Sequence, residues 1–353
     1  MPISQVPFAG ISNPVDFRNI VINGDMQIAQ RSTSVASLTT SGYYTLDRFK
    51  FFNTTLGTWT MSQSTDVPTG QGFANSLKLD CTTADASPAS ADNLRIQQIF
   101  EGQNLQYLKK GTANALPLTA SFWVKSTKIG TFICELVDLD NSRSVSQSYT
   151  VSVTNTWEFK TVTFPGDTTG AFTNDNGDSL SLNFWLGAGT DFTSGALATT
   201  WVSTTAANRA VGQVNIADNT ANDWYITGVQ LEAGSQASGF EFMPVDTNLI
   251  RCQRYFQKLD SFYCMAFSTT QVQTFRALIP TMRASPSISV TGAMQITDVF
   301  AANFTQSSAN IGASGGTSTG IQVNMENFVS LTSQRMYFSN TGHAQVITVS
   351  SEL

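Results

Sequence analysis

Apolar and polar residues alternate at every second position through most of this 353-residue chain. That period presents one apolar face only on a β-strand, where successive side chains point to opposite sides. In residues 118–125, Leu118, Ala120, Phe122 and Val124 point one way, while Thr119, Ser121, Trp123 and Lys125 point the other. Phe132, Cys134 and Leu136 form a second inward set and Tyr149, Val151 and Val153 a third. Leu180, Leu182, Phe184 and Leu186 form a fourth, opposed by Ser181, Asn183 and Trp185. Within residues 224–232 the apolar phase shifts from Trp224 and Ile226 to Val229 and Leu231. Gly228 stands at the shift, which predicts a β-bulge. Asp140-Asn141-Ser142, Pro165-Gly166-Asp167 and Asp175-Asn176-Gly177-Asp178 supply turns between the runs. Helical spacing is confined to residues 247–258, where Leu249, Ile250, Cys252, Tyr255 and Phe256 share a face behind Asp246 or Thr247 as N-cap. Many short, turn-punctuated strands predict an all-β chain built as a β-sandwich or jelly roll.

The pattern divides the chain in three. Residues 1–17, with Pro2, Pro7 and Pro14, predict an extended N-terminal arm that has no core of its own. Its apolar side chains Ile3, Val6, Phe8 and Ile11 are the natural anchor on a partner protein. Residues 18–246 form the large β-domain. Residues 247–353 form a smaller C-terminal β-domain that opens with the short helix. Its strands are expected at 275–279, 287–291, 321–325 and 346–349, divided by a Gly/Ser-rich loop at 309–320.

Charge narrows the function. Only 12% of residues are charged, and roughly a quarter are Ser or Thr, the balance of a β-rich, protease-resistant surface. A net charge of -6 argues against nucleic-acid binding, which needs clustered Lys and Arg. Cys81, Cys134, Cys252 and Cys264 lack the close pairing and the histidines of a zinc site, because the chain has a single His. Free thiols are expected, with Cys252 and Cys264 left open as one pair. Residues 1–17 do not read as a signal peptide, and no stretch of 18 apolar residues occurs. The reading is a protein assembled in a host cytoplasm into a particle, with no membrane insertion.

Residues along the whole chain carry a family likeness. Phe17-Arg18-Asn19-Ile20-Val21-Ile22-Asn23-Gly24-Asp25-Met26, then Ala29-Gln30-Arg31-Ser32 and Tyr44-Thr45-Leu46-Asp47-Arg48-Phe49, open it. Gln98-Ile99-Phe100-Glu101-Gly102, Ala120-Ser121-Phe122-Trp123-Val124-Lys125 and the run from Trp224 to Gly234 continue it. Cys252-Gln253-Arg254-Tyr255-Phe256, Met282-Arg283-Ala284-Ser285-Pro286 and Ser351-Glu352-Leu353 complete it. In this order the set resembles phage tail-fibre and virion structural proteins whose large domain is like the jelly roll of carbohydrate-binding modules. The resemblance implies a place in a virion, a homotrimer, and contacts with other virion proteins or host surface glycans. Many such jelly rolls hold a structural calcium; here only Asp25 and Asp223 remain as oxygen ligands, against the six to eight that calcium takes. No other cofactor is implied.

The residues do not point to an enzyme. Gly316-Thr317-Ser318-Thr319-Gly320, followed by Glu326 and His343, matches the order of a hydrolase triad. It lies in a β-unit, however, where no strand feeds a helix. Trp123 with Lys125, and Trp185 with Asn183, are better candidates, as flat rings among polar neighbours that could stack on a sugar. Trp59, Trp157, Trp201 and Trp224 read as core or rim. The expected function is a non-enzymatic tail-fibre or receptor-binding component that contacts host glycans. A capsid decoration or head fibre bound to other virion proteins is the alternative, and a tail-associated glycan depolymerase the second.

Overall fold

A computed structural model describes residues 17–259, 261–291, 294–298, 302–306, 310–312, 314–339 and 346–353. Ile3, Val6, Phe8 and Ile11 of the predicted arm, and His343, lie outside the described residues.

The large β-unit contains β1 (Ser34–Gly42), β2 (Lys50–Ser64), β3 (Ser76–Thr83), β4 (Asn93–Glu101), β5 (Leu118–Ser126) and β6 (Gly130–Asp138). It continues through β7 (Arg143–Val151), β8 (Glu158–Phe164), β9 (Asp178–Ala188), α1 (Thr190–Thr193), β10 (Val202–Ser203) and β11 (Asp223–Ala233). The strands bond in the order β10-β7-β6-β9-β4-β2-β3-β11-β5-β8, with β1 against β2. The long strand β2 joins two layers. Its residues 50–54 pair with β4 and its residues 58–64 with β3, both antiparallel. Between them Thr55 and Gly57 take φ of 55° and 71°. A Cβ on Gly57 would stand 2.8 Å from the Thr83 carbonyl oxygen, so this bend calls for glycine. The apolar faces of the two layers meet: Phe122 of β5 lies 5.0 Å, centroid to centroid, from Tyr149 of β7 and from Phe184 of β9. This is a β-sandwich of the jelly-roll type, and its buried core holds the four alternating apolar sets except Val153, which is exposed beyond the end of β7. The pairing of β11 with β5 slips between Thr227 and Gln230, where Gly228 has φ 61°.

Helix α2 (Val245–Gln253) begins behind Pro244, earlier than the expected caps, and stops short of Tyr255 and Phe256. Phe256 instead opens strand β12 (Phe256–Leu259), and Ile250 faces solvent. Then follow β13 (Tyr263–Ala266), β14 (Val272–Ala277), β15 (Ser287–Thr291), β16 (Gln295–Thr297) and β17 (Asn303–Thr305). Strands β18 (Gly315–Thr317), β19 (Gly320–Met325), β20 (Met336–Ser339) and β21 (Val346–Ser350) complete the chain. They form one sheet of order β12-β21-β15 and another of order β17-β16-β20-β13-β14-β19-β18 around a second core. The Gly316-Thr317-Ser318-Thr319-Gly320 stretch, expected in a loop, is the turn of the β18–β19 hairpin. It has no helix behind it and does not make a nucleophile elbow.

The two β-units are tied by charged groups. Glu101, fully buried, takes two bonds from Arg254, at 2.8 and 2.7 Å, and one from the Tyr255 hydroxyl. Glu352 pairs with Arg48 and, at 3.1 Å, with Arg31. Asn248 of α2 accepts from the Asn23 N–H at 3.1 Å and donates to Asp25 at 3.0 Å.

Candidate functional site

The outer face of the β3-β11-β5-β8 layer carries the aromatic residues. Alternation places Trp123 of β5 outward, opposite Phe159 of β8 on one side and Thr227 of β11 on the other. The two rings lie 5.4 Å apart. After β11 the chain folds back over this face because two buried polar groups hold it. The Gln230 side-chain oxygen accepts from the Glu241 N–H at 2.8 Å, and Glu232 accepts from the Ser238 N–H and hydroxyl at 2.8 and 2.7 Å. The returning segment sets Phe240 and Phe242 against Phe73, with centroids 4.9–5.1 Å apart. Gly228 makes room for that cluster, since a Cβ there would come within 2.6 Å of the Phe73 ring.

Between the Phe73 cluster and the Trp123–Phe159 pair lies a groove of about 460 Å³. Phe159 and Phe242 are each 49% exposed and Trp123 is half-buried, so ring surface is open to a ligand. Ser121, Ser238 and Gln71 add hydroxyl and amide groups to the lining. Flat apolar rings with a few polar groups suit a ligand that has C–H faces and hydroxyl edges.

Of the candidate glycan-binding residues Trp123, Lys125, Asn183 and Trp185, Trp123 alone lines this groove. Lys125 borders it: its ammonium pairs with Asp66 and sits 4.2 Å from the centre of the Tyr225 ring. Burial would raise the Asp66 pKa, but bonds from Lys125 and the Trp157 indole, the latter at 2.9 Å, hold it below its ordinary value. Trp185 and Asn183 are not a platform. Both are wholly buried, because the chain after β9 covers that face with Phe192, Leu197 and Ala210. The Trp185 indole donates to Glu135 at 2.9 Å, and Asn183 donates to the same carboxylate at 3.2 Å.

The calcium pair does not assemble. Gly24 bonds to β11 at Val229, so Asp25 stands roughly 20 Å along that strand from Asp223. Asp25 meets Asn248, and Asp223 meets Lys78 at 3.2 Å, a cation already in place. Among the described residues, no three His, Cys, Asp or Glu side chains converge. All four cysteines are buried and free, so Cys252 and Cys264 do not pair. Trp59 and Trp224 are core, while Trp157 and Trp201 are half-buried.

Phe73, Phe159, Phe240 and Phe242 were not anticipated. Phe159 was legible, since Val162 and Phe164 of β8 take the inward phase. Phe240 and Phe242 follow a stretch rich in Gly and Ser, where no period says which face the chain revisits.

No protein-family model matches the chain, and no curated protein matches it in sequence. Among solved structures, the chain is similar to the enzymatically active domain of tailspike protein 4 of bacteriophage CBA120, with 17% identity and a TM-score of 0.32. That alignment covers 62% of this chain and 22% of the tailspike, so the chain spans under a quarter of that protein's length. It is similar to a family 11 carbohydrate-binding module of a Clostridium thermocellum cellulase, with 13% identity over 57% of this chain and 99% of that one and a TM-score of 0.26. It is also similar to a family 61 carbohydrate-binding module solved with β-1,4-galactotriose, with 10% identity over 61% and 99% of the two chains and a TM-score of 0.28.

Proposed function

We propose that this protein binds glycans without cleaving them, as a structural component of a phage particle that contacts the host surface. The groove between the Trp123–Phe159 pair and the Phe73 cluster carries the reading. No lining residue is a carboxylate, whereas glycosidic cleavage ordinarily needs two acids flanking the bond. Ring faces and serine hydroxyls suffice for binding. The virion setting rests on the family-like residues that run from Phe17 to Leu353, and partners among other virion proteins and a trimeric state belong to the same reading.

One groove of this kind binds a short glycan at about millimolar strength, roughly 4 kcal/mol, and attachment gains its strength from several copies acting together. The test is titration of neutral oligosaccharides into the full chain and into Trp123→Ala and Phe159→Ala, with heat of binding as the readout. Saturable binding that both substitutions weaken by about tenfold or more, with folding intact, supports the proposal. No binding across a broad glycan panel, or binding that both variants retain, overturns it.

A further inference from the structure

The outer face of the opposite layer holds two cations, Arg95 and Lys50, with no carboxylate in direct contact among the described residues; Lys50 lies 5.6 Å from the centre of the Tyr43 ring. Arg95 of β4 is 7% exposed, and its guanidinium lies 3.7 Å from the Phe52 ring centre and 5.1 Å from that of Trp185. One of its nitrogens donates to the Asn93 side-chain oxygen at 2.6 Å; its Nε is buried without a partner, and no carboxylate pairs with it. Lys50 shares this outer face. In the β2–β4 register Lys50 stands opposite Gln97 and Phe52 opposite Arg95, which makes Lys50 and Arg95 diagonal neighbours about 7–8 Å apart at the backbone. Lys50 also has no ion pair, and the Gln97 side-chain amide makes no hydrogen bond among the described residues.

The nearby carboxylates are committed elsewhere. Glu135 takes two bonds from Arg209, at 2.6 and 2.9 Å, besides those from Trp185 and Asn183. Glu352 is held by Arg48 and Arg31. A buried, unpaired guanidinium is costly, and in a chain of net charge -6 it is the more conspicuous. Burial, reinforced by the neighbouring Arg209 and only partly offset by Glu135, pulls the Arg95 pKa down to about 9. Burial and then Arg95 itself depress Lys50 as well.

We infer that Lys50, Arg95 and Gln97 form a second ligand site, which binds an oxyanion such as the carboxylate or phosphate group of an acidic saccharide. The guanidinium fork suits two oxygens of one anion, the Lys50 ammonium adds a point charge, and the Gln97 amide adds a donor. This site lies on the other layer from the aromatic groove and does not depend on what that groove binds.

The test uses the full chain with three probes: a glucuronate-containing disaccharide, its neutral glucose counterpart, and inorganic phosphate. Each is titrated into the native protein, Lys50→Gln and Arg95→Gln, while Trp123→Ala reports on the groove. The expected result is binding of the glucuronate sugar that the neutral sugar does not match. Lys50→Gln and Arg95→Gln each weaken it by about tenfold or more, and Trp123→Ala leaves it unchanged. Phosphate binding with the same residue dependence, and no glucuronate binding, upholds the oxyanion site and assigns it to the free anion. Thermal stability separates this role from a structural one: Arg95→Gln, relieved of an unpaired buried charge, melts no lower than the native protein. If Arg95→Gln does not fold, Lys50→Gln alone carries the test. The inference is overturned if neither anion binds, or if the lysine variant binds them as the native protein does.

Discussion

Glu135 has no solvent exposure and accepts hydrogen bonds from Arg209, Trp185 and Asn183. Trp185→Ala therefore removes a packed indole and one of those donors together. We expect it to destabilise the protein by about 3–5 kcal/mol, and Trp123→Ala by well under half of that, as read from urea midpoints at unchanged slope. The two tryptophans look alike in sequence, each on the polar phase of a strand. Alternation states which side of a sheet a residue takes, but not whether another segment lies over that side. For Trp185 the cover is an irregular stretch without a period of its own. A second residue-scale expectation concerns Asp47, whose pKa burial pushes up to about 6 against bonds from Gln30. A raised folded-state value means that this group's stabilisation is complete below its ordinary pKa near 3.8 and is lost as pH rises through about 6. The stability difference between the native protein and Asp47→Asn should thus fall across that window. A difference that stays flat between pH 4 and 7 would refute the assignment.

At the scale of elements, β11 shows why the groove exists. Its phase shift at Gly228 keeps Trp224 and Ile226, then Val229 and Leu231, in the core while turning Gln230 and Glu232 outward to hold the returning chain. Gly228→Ala meets both a left-handed φ and the Phe73 ring. We expect a loss of about 1–3 kcal/mol, together with weaker glycan binding at Trp123 because the Phe73 cluster must move. The strand, its bulge and its inner face were legible from apolar period alone. The fold-back of residues 234–244 was not, since it depends on long-range bonds to two side chains that read as ordinary polar strand residues. The helix was legible in place but not in length: Tyr255 and Phe256 kept the apolar spacing while the backbone turned into β12.

Across the whole molecule, the residues that carry the family likeness gather at the junction of the two β-units rather than in the groove. There Glu101 bonds to Arg254 and Tyr255, Arg48 pairs with Glu352, and Asn23 and Asp25 both bond to Asn248 of α2. Only Ser121 and Trp123, with Gly228, belong to both the likeness and the groove lining. The motif residues therefore join the two units, while most of the groove lining lies outside them. Arg254→Ala leaves Glu101 buried with its charge largely uncompensated, a change worth about 3–5 kcal/mol. Differential scanning calorimetry should show the C-terminal unit melting separately from the large one in this variant; a single transition at the native temperature would rule that out. The shared strand β2 has a mechanical consequence of its own. Because one continuous strand is laced to β4 at one end and to β3 at the other, a pull that slides one layer past the other loads both ladders in shear. Their hydrogen bonds must then rupture together rather than peel one by one. Under such a load the sandwich yields in a single abrupt step at high force, and its lifetime follows the unfolding rate rather than the equilibrium stability.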